Sequence, residues 1–208
     1  MSVGLKGNAD GSGAIQVGGT DAITITTSLN ATFAGTAAVP TGTLYPIVSG
    51  TVKDLTNGGA NNLASWDYTS IPSWVKRITI MINGLSTTGT SDPLIQLGTS
   101  AGGVLTSGYV SGASTTTAGS GGFSSTAGIA LTGGWSAAFV WSGTITLVLQ
   151  DAATNTWTAV TSGGRTDTAG GTTGGGYKAT TTALDRIRLT TVTGVQFFDA
   201  GTMNIVYE

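Results

Sequence analysis

The chain has 208 residues, 8 Lys+Arg against 10 Asp+Glu, a formal net charge of −2, and neither histidine nor cysteine. Those absences exclude Ser-His-Asp and Cys-His nucleophilic catalysis, the H-E-x-x-H zinc pattern, thiolate metal sites and disulfides. The few basic residues are dispersed, which argues against nucleic acid as a partner, because phosphate binding needs clustered Lys and Arg.

Only 9% of residues are charged, against roughly 25% in ordinary soluble domains. The 34 glycines would suit a disordered chain, but 39% of residues are hydrophobic and β-branched residues alternate with polar ones in many windows, so a core can form. Met1 to Gly7 has no apolar core of a signal peptide, and no secretory signal is expected. No apolar run approaches the roughly 20 residues of a membrane span, and no membrane insertion is expected.

Residues 1–46 read as an extended N-terminal β arm with a linker. Gly7 to Gly13 is a turn cluster. Asn8, Asp10 and Ser12 have alternate oxygen spacing, but the distal glutamate of a calcium loop is missing, so a plain turn is the reading. Short alternating pieces follow at 14–17, 22–26 and 31–34. Each is too poor in large apolar groups to fold alone. Ile15, Val17, Ile23, Ile25 and Phe33 are the assembly and anchoring candidates, packed between copies about a symmetry axis or along the chain's own domain. Pro40 and Pro46 mark a linker, since each biases its predecessor to extended backbone.

Residues 47–208 read as one all-β domain. Its organising stretch is Trp66 to Ser86, where Ile78, Ile80 and Ile82 alternate with Thr79 and Met81. Pro72 cannot donate to a ladder, so the strand starts after a Trp/Pro corner. Further strands are expected at 94–97, 104–110, 127–131, 138–150, 156–161, 177–184, 186–192, 194–198 and 203–207. No window has a helical period. Ser111 to Ser125 and Ser162 to Gly176 are Ser/Thr/Gly-rich and read as long loops at the sandwich ends.

The only glutamate is Glu208. Acid–base chemistry would have to come from paired aspartates, with Asp185 and Asp199 near strand ends; most aspartates instead sit in turn sequences. No catalytic residue, metal or cofactor is expected. Trp66, Trp74 and Trp141 lie in or beside strand patterns and read as core, whereas Trp135 and Trp157 are candidates for surface binding, with Arg165 and Asp167 in the second loop. Lys76, Arg77, Asp185, Arg186 and Arg188 are candidates for polar contacts between subunits, with Asp67 and Asp199 as partners.

Three stretches resemble virion proteins of tailed bacteriophages, especially tail-fibre-like ones. They are Gly7 to Ile25 continuing to Phe33-Ala34-Gly35-Thr36, Ile71-Pro72-Ser73-Trp74-Val75-Lys76-Arg77-Ile78-Thr79, and Leu184 to Leu189 with Asp199 to Glu208. The resemblance implies a homotrimer with an anchoring N-terminus and an outward C-terminal β domain, assembled in the host cytoplasm and carried on the virion. The expected fold is an extended arm followed by a jelly-roll-like antiparallel β-sandwich. The expected partners are further copies of the chain, other virion proteins (a tail adaptor or the major capsid protein) and a host-surface glycan. A capsid decoration protein is the close alternative. A glycan-degrading enzyme with paired aspartates and a monomeric carbohydrate-binding module are more distant ones.

Overall fold

The computed structural model describes residues 3–7, 9, 13–17, 20–25, 31–33, 38–39, 42–43, 45–56, 63–116 and 122–208. The chain divides into two units, Met1–Pro46 and Ile47–Glu208. The elements are strands only, and no helix occurs among the described residues.

The first unit contains β1 (Val3–Gly7), β2 (Gly13–Val17), β3 (Thr20–Ile25), β4 (Ala31–Phe33), β5 (Ala38–Val39) and β6 (Gly42–Thr43). The β arm expected from sequence is a meander: β1 to β4 pair in chain order, all antiparallel, and β5 pairs with β6. Turn residues explain the folding back, since β1 and β2 close at the pair Gly7 and Gly13. The register puts Leu5, Ile15, Ile23 and Phe33 in one cross-strand row. Leu5 is 86% exposed. The Asn8/Asp10/Ser12 turn lies outside the described residues, as do the side chains of Val17, Ile25 and Phe33.

The second unit opens with β7 (Val48–Ser49), β8 (Lys53–Asp54) and β9 (Trp66–Tyr68). Then come β10 (Arg77–Thr87), β11 (Pro93–Thr99), β12 (Gly103–Val104), β13 (Val110–Thr115), β14 (Gly122–Ser125) and β15 (Ile129–Ala130). It ends with β16 (Trp141–Asp151), β17 (Thr156–Arg165), β18 (Gly171–Ala179), β19 (Leu184–Thr191) and β20 (Phe198–Tyr207). The pairing is nested. β10 pairs with β20, β11 with β19, β13 with β18, and β16 with β17. This outside-in order is that of a jelly roll. The innermost hairpin stays with β10 and β18, so the sheets are unequal. The larger runs β14-β13-β18-β17-β16-β10-β20-β7 with β8 also on β20, and the smaller runs β12-β11-β19-β9 with β15 on β11.

The alternation in β10 sets the core. Ile78, Ile80 and Ile82 are buried, and β10 is interior, between β16 and β20. They join Ile145, Leu147, Met203 and Ile205 of the same sheet, and Ile95, Leu97, Ile187 and Leu189 of the smaller one. The strand begins after Pro72, where the Val75 amide donates to the Pro72 carbonyl in a turn.

The two stretches expected as long loops are largely strand. Ser111 to Ser125 contains most of β13 and all of β14, and Ser162 to Gly176 contains the end of β17 and most of β18. The physical reason is close approach. Trp141 reaches across the neighbouring strand and donates from Nε1 to Thr172 Oγ1 at 2.8 Å. A Cβ on Gly163 would lie 2.3 Å from the Trp141 ring. Glycine is here the residue that admits an indole between strands, a role that local composition makes look like a loop. The run 194–198 is also different from expectation: β20 begins only at Phe198, after a turn closed by the Gly194 amide on the Thr191 carbonyl.

Candidate functional site

In a chain without histidine or cysteine, the aspartates are the one route to acid–base chemistry. Asp54 accepts the Thr56 amide, and Asp151 accepts the Ala153 amide and the Thr154 hydroxyl, each at 2.8 Å. The Thr154 hydroxyl, with that amide, holds the Asp151 carboxyl below the ordinary range. Asp92 accepts the Trp135 amide at 3.0 Å. Burial pushes its carboxyl above the ordinary value, against the pull of that amide.

Asp185 and Asp199 do not converge. They begin β19 and β20, which lie in different sheets. Since β20 follows the far end of β19, about 20 Å of strand separates the two levels. Two carboxyls acting on one glycosidic bond stand about 5–9.5 Å apart. Among the described residues, no group of three or more His, Cys, Asp or Glu side chains could hold a metal ion.

The residues expected to bridge subunits find partners within the chain. Arg188 makes two parallel bonds to Asp67, from Nε and Nη2, both 2.7 Å. The cause is register, since β19 places Arg188 opposite Asp67 on β9. Arg186 binds its own neighbour Asp185 at 2.8 and 3.2 Å. Arg77 pairs with Glu208. The carboxylates hold both β19 guanidinium groups above their ordinary pKa, with Asp185 acting on Arg186 and Asp67 on Arg188. Lys76 meets Glu208 through its backbone, its amide donating to the Glu208 carbonyl at 2.7 Å.

The four surface-binding candidates form a structural corner or enter the core. Trp135 and Trp157 are 4% and 3% exposed, so neither is a surface platform. Trp135 is drawn inward by two bonds, its amide to Asp92 and its Nε1 to Thr87 Oγ1 at 2.7 Å. Phe139 meets it edge-on at 5.9 Å, and the Arg165 guanidinium lies 3.4 Å over the Phe139 ring. Asp167 accepts from Arg165 and from the Val140 amide at 3.1 Å. The Arg165 contact holds the Asp167 carboxyl down at about 2. This corner clamps the β17–β18 turn onto residues 135–140. Trp157 is inward because it alternates in phase with buried Ala159 and Thr161.

What sequence reasoning missed is the outer face of the larger sheet. Val110, Tyr177, Thr158 and Val148 stand directly opposite one another on β13, β18, β17 and β16. Val160 and Thr146 form the next row with Gly175. Val160 is 63% exposed, Val110 56%, Tyr177 48% and Val148 42%. None of these outward positions, nor Ser114, Thr173, Ser162 or Thr144 beyond them, is charged. A solvated sheet face ordinarily carries charged and polar groups, whereas this patch carries exposed valines and a tyrosine; charge returns at its edge, where Arg77 stands opposite Val148 and pairs with Glu208. The available signal was β-branched apolar residues on the outward phase of residues 144–150 and 156–161.

A second feature lies on the outer face of the smaller sheet. It is a cleft of about 280 Å³ lined by residues that include Gln96, Thr106, Arg188, Thr190 and Thr193. No protein-family profile, curated protein or solved structure matches the chain.

Proposed function

We propose that the chain is a non-enzymatic bacteriophage virion structural protein, a short tail fibre or fibre-like appendage. Its N-terminal unit attaches it to the particle and its β domain faces the host surface as a homotrimer. The single observation that carries this reading is the uncharged patch across β13, β18, β17 and β16 on the outer face of the larger sheet, with its exposed Val110, Tyr177, Val148 and Val160. Such a face favours packing against protein over remaining in water. The exposed Leu5, at the head of the cross-strand row in the N-terminal meander, supports a second contact of the same kind. The resemblance of residues 7–36, 71–79, 184–189 and 199–208 to phage virion proteins supplies the setting.

A capsid decoration protein is the second reading. It is favoured by one observation: residues 111–125 and 162–176 are mostly paired strands, which leaves less free loop to present to a host.

The test is twofold. Light scattering of the purified chain should give three times the monomer mass. Electron microscopy of whole particles labelled at this protein should place it on the tail. Label confined to the capsid surface selects the decoration reading, and a monomer absent from particles overturns both.

A further inference from the structure

The cleft on the smaller sheet is built from polar groups whose orientation is already fixed. Asp67 holds Arg188 by Nε and Nη2, so Nη1 is the remaining donor nitrogen; no described residue is its partner. Gln96, only 7% exposed, donates from Nε2 to the Ala127 carbonyl at 3.0 Å, which fixes Oε1 as the amide's unused acceptor among the described residues. Thr190 donates to the Ala64 carbonyl at 3.0 Å and keeps its lone pairs. Thr106 and Thr193 stand exposed at the rim.

The donor and acceptor set selects a ligand. Asp67 already neutralises Arg188, so the cleft carries little net field for an anion. An anionic carboxylate offers only acceptors and would oppose Gln96 Oε1 and the Thr190 lone pairs. A hydroxyl both donates and accepts. Adjacent hydroxyls on one ring can therefore satisfy Arg188 Nη1, Gln96 Oε1 and Thr190 together. The volume suits one sugar ring, and the shallow polar lining suits a ligand that stays partly hydrated.

The geometry points to a binding site for one neutral pyranose in the cleft between Gln96, Arg188 and Thr190. The site stands on the cleft alone, while its use in host attachment rests on the virion reading above. Single-sugar affinity is weak, with Kd in the range of about 1–10 mM, and three copies on one particle would raise it by avidity.

The experiment is an amide NMR titration of the full chain with neutral methyl pyranosides (gluco, galacto, manno and N-acetylglucosamine), with methyl glucuronide and glycerol run alongside. The expected result is saturable shifts at residues 96, 127 and 188–194 for at least one neutral pyranoside. The uronide and glycerol should bind at least about tenfold more weakly. Thr106→Trp and Thr193→Trp, both at exposed rim positions, should each weaken binding about tenfold while leaving the rest of the spectrum in place. No shift with any neutral pyranoside, shifts that map elsewhere, tighter binding of the uronide, or binding unchanged in both rim variants would overturn the proposal. A silent cleft in a protein found on particles removes only the sugar site. Sugar binding by a protein absent from particles removes only the virion role.

Discussion

At the scale of single residues, Trp141 and Asp167 make opposite kinds of statement. Trp141 is fully buried and hydrogen-bonded, with Gly163 beneath its ring. Gly163→Ala should therefore cost about 2 kcal/mol by overpacking, read as a lower urea midpoint with unchanged slope. Asp167 is tied to Arg165, and its folded pKa of about 2 lies below the ordinary value of about 3.9. A depressed carboxylate stabilises the fold above the unfolded value. That stabilisation fades as pH falls from about 4 towards 2. Arg165→Met should return the Asp167 carboxyl to the ordinary range, as followed by side-chain carbon NMR. Asp92 has the reverse sign. Its raised carboxyl binds a proton more readily in the folded state, so stability falls as pH rises through the window between the unfolded and folded values. Asp92→Asn keeps an acceptor for the Trp135 amide and should remove that slope from a thermal-melt pH series. The core role of Trp141 was legible from its strand pattern. Trp135 was not, because its partners Asp92 and Thr87 are 43 and 48 residues away in sequence.

At the scale of elements, the strands with large β-branched residues declared themselves and the glycine-rich ones did not. β10 carries Ile78, Ile80 and Ile82 and β16 carries Ile145, Leu147 and Leu149 at alternate places, and that period is readable without any partner. β18 reads Gly-Thr-Thr-Gly-Gly-Gly-Tyr-Lys-Ala, and nothing local marks its first six residues as strand, although its last three begin the strand expected at 177–184. Its identity comes from the neighbours that fill the space its side chains lack: a Cβ on Gly176 would sit 2.4 Å from the Val110 carbonyl oxygen. The same strands build the outer face. Val148→Lys with Val160→Lys should leave monomer stability within about 0.5 kcal/mol, because both sites are exposed. The pair should also shift the light-scattering mass towards the monomer. Cross-strand pairing also explains why the partners of the arginines within the chain could not be read from sequence. Alternation along β19 puts Arg186 and Arg188 on one face, but only the β19–β9 register reveals Asp67 opposite Arg188.

At the scale of the whole molecule, the all-β class and the sandwich followed from patterning, whereas the unequal sheets did not. Nothing in the order of strands tells the β16–β17 hairpin to lie beside β10. That choice is made by Ile145 and Leu147 joining the same buried set as Ile78 and Ile80. The two units predict separable behaviour. A chain lacking residues 1–46 should keep the melting transition of the β domain within a few degrees. Loss of the proposed trimer on that deletion, read by sedimentation, would assign self-association to the meander instead of the outer face.

The nesting of strands has a consequence for how the protein is made. Ile78 waits for Tyr207, and Leu94 for Thr190, so the central ladders join sequence-distant segments. A ribosome adding about 5–20 residues per second exposes β10 for many seconds before its second neighbour exists. During synthesis the Ile78–Ile82 run is a bare, sticky template, and crowding of nascent chains on one message brings identical templates together. Yield in a foreign host should thus depend on chaperone supply and growth temperature more than on the equilibrium strength of the finished sandwich.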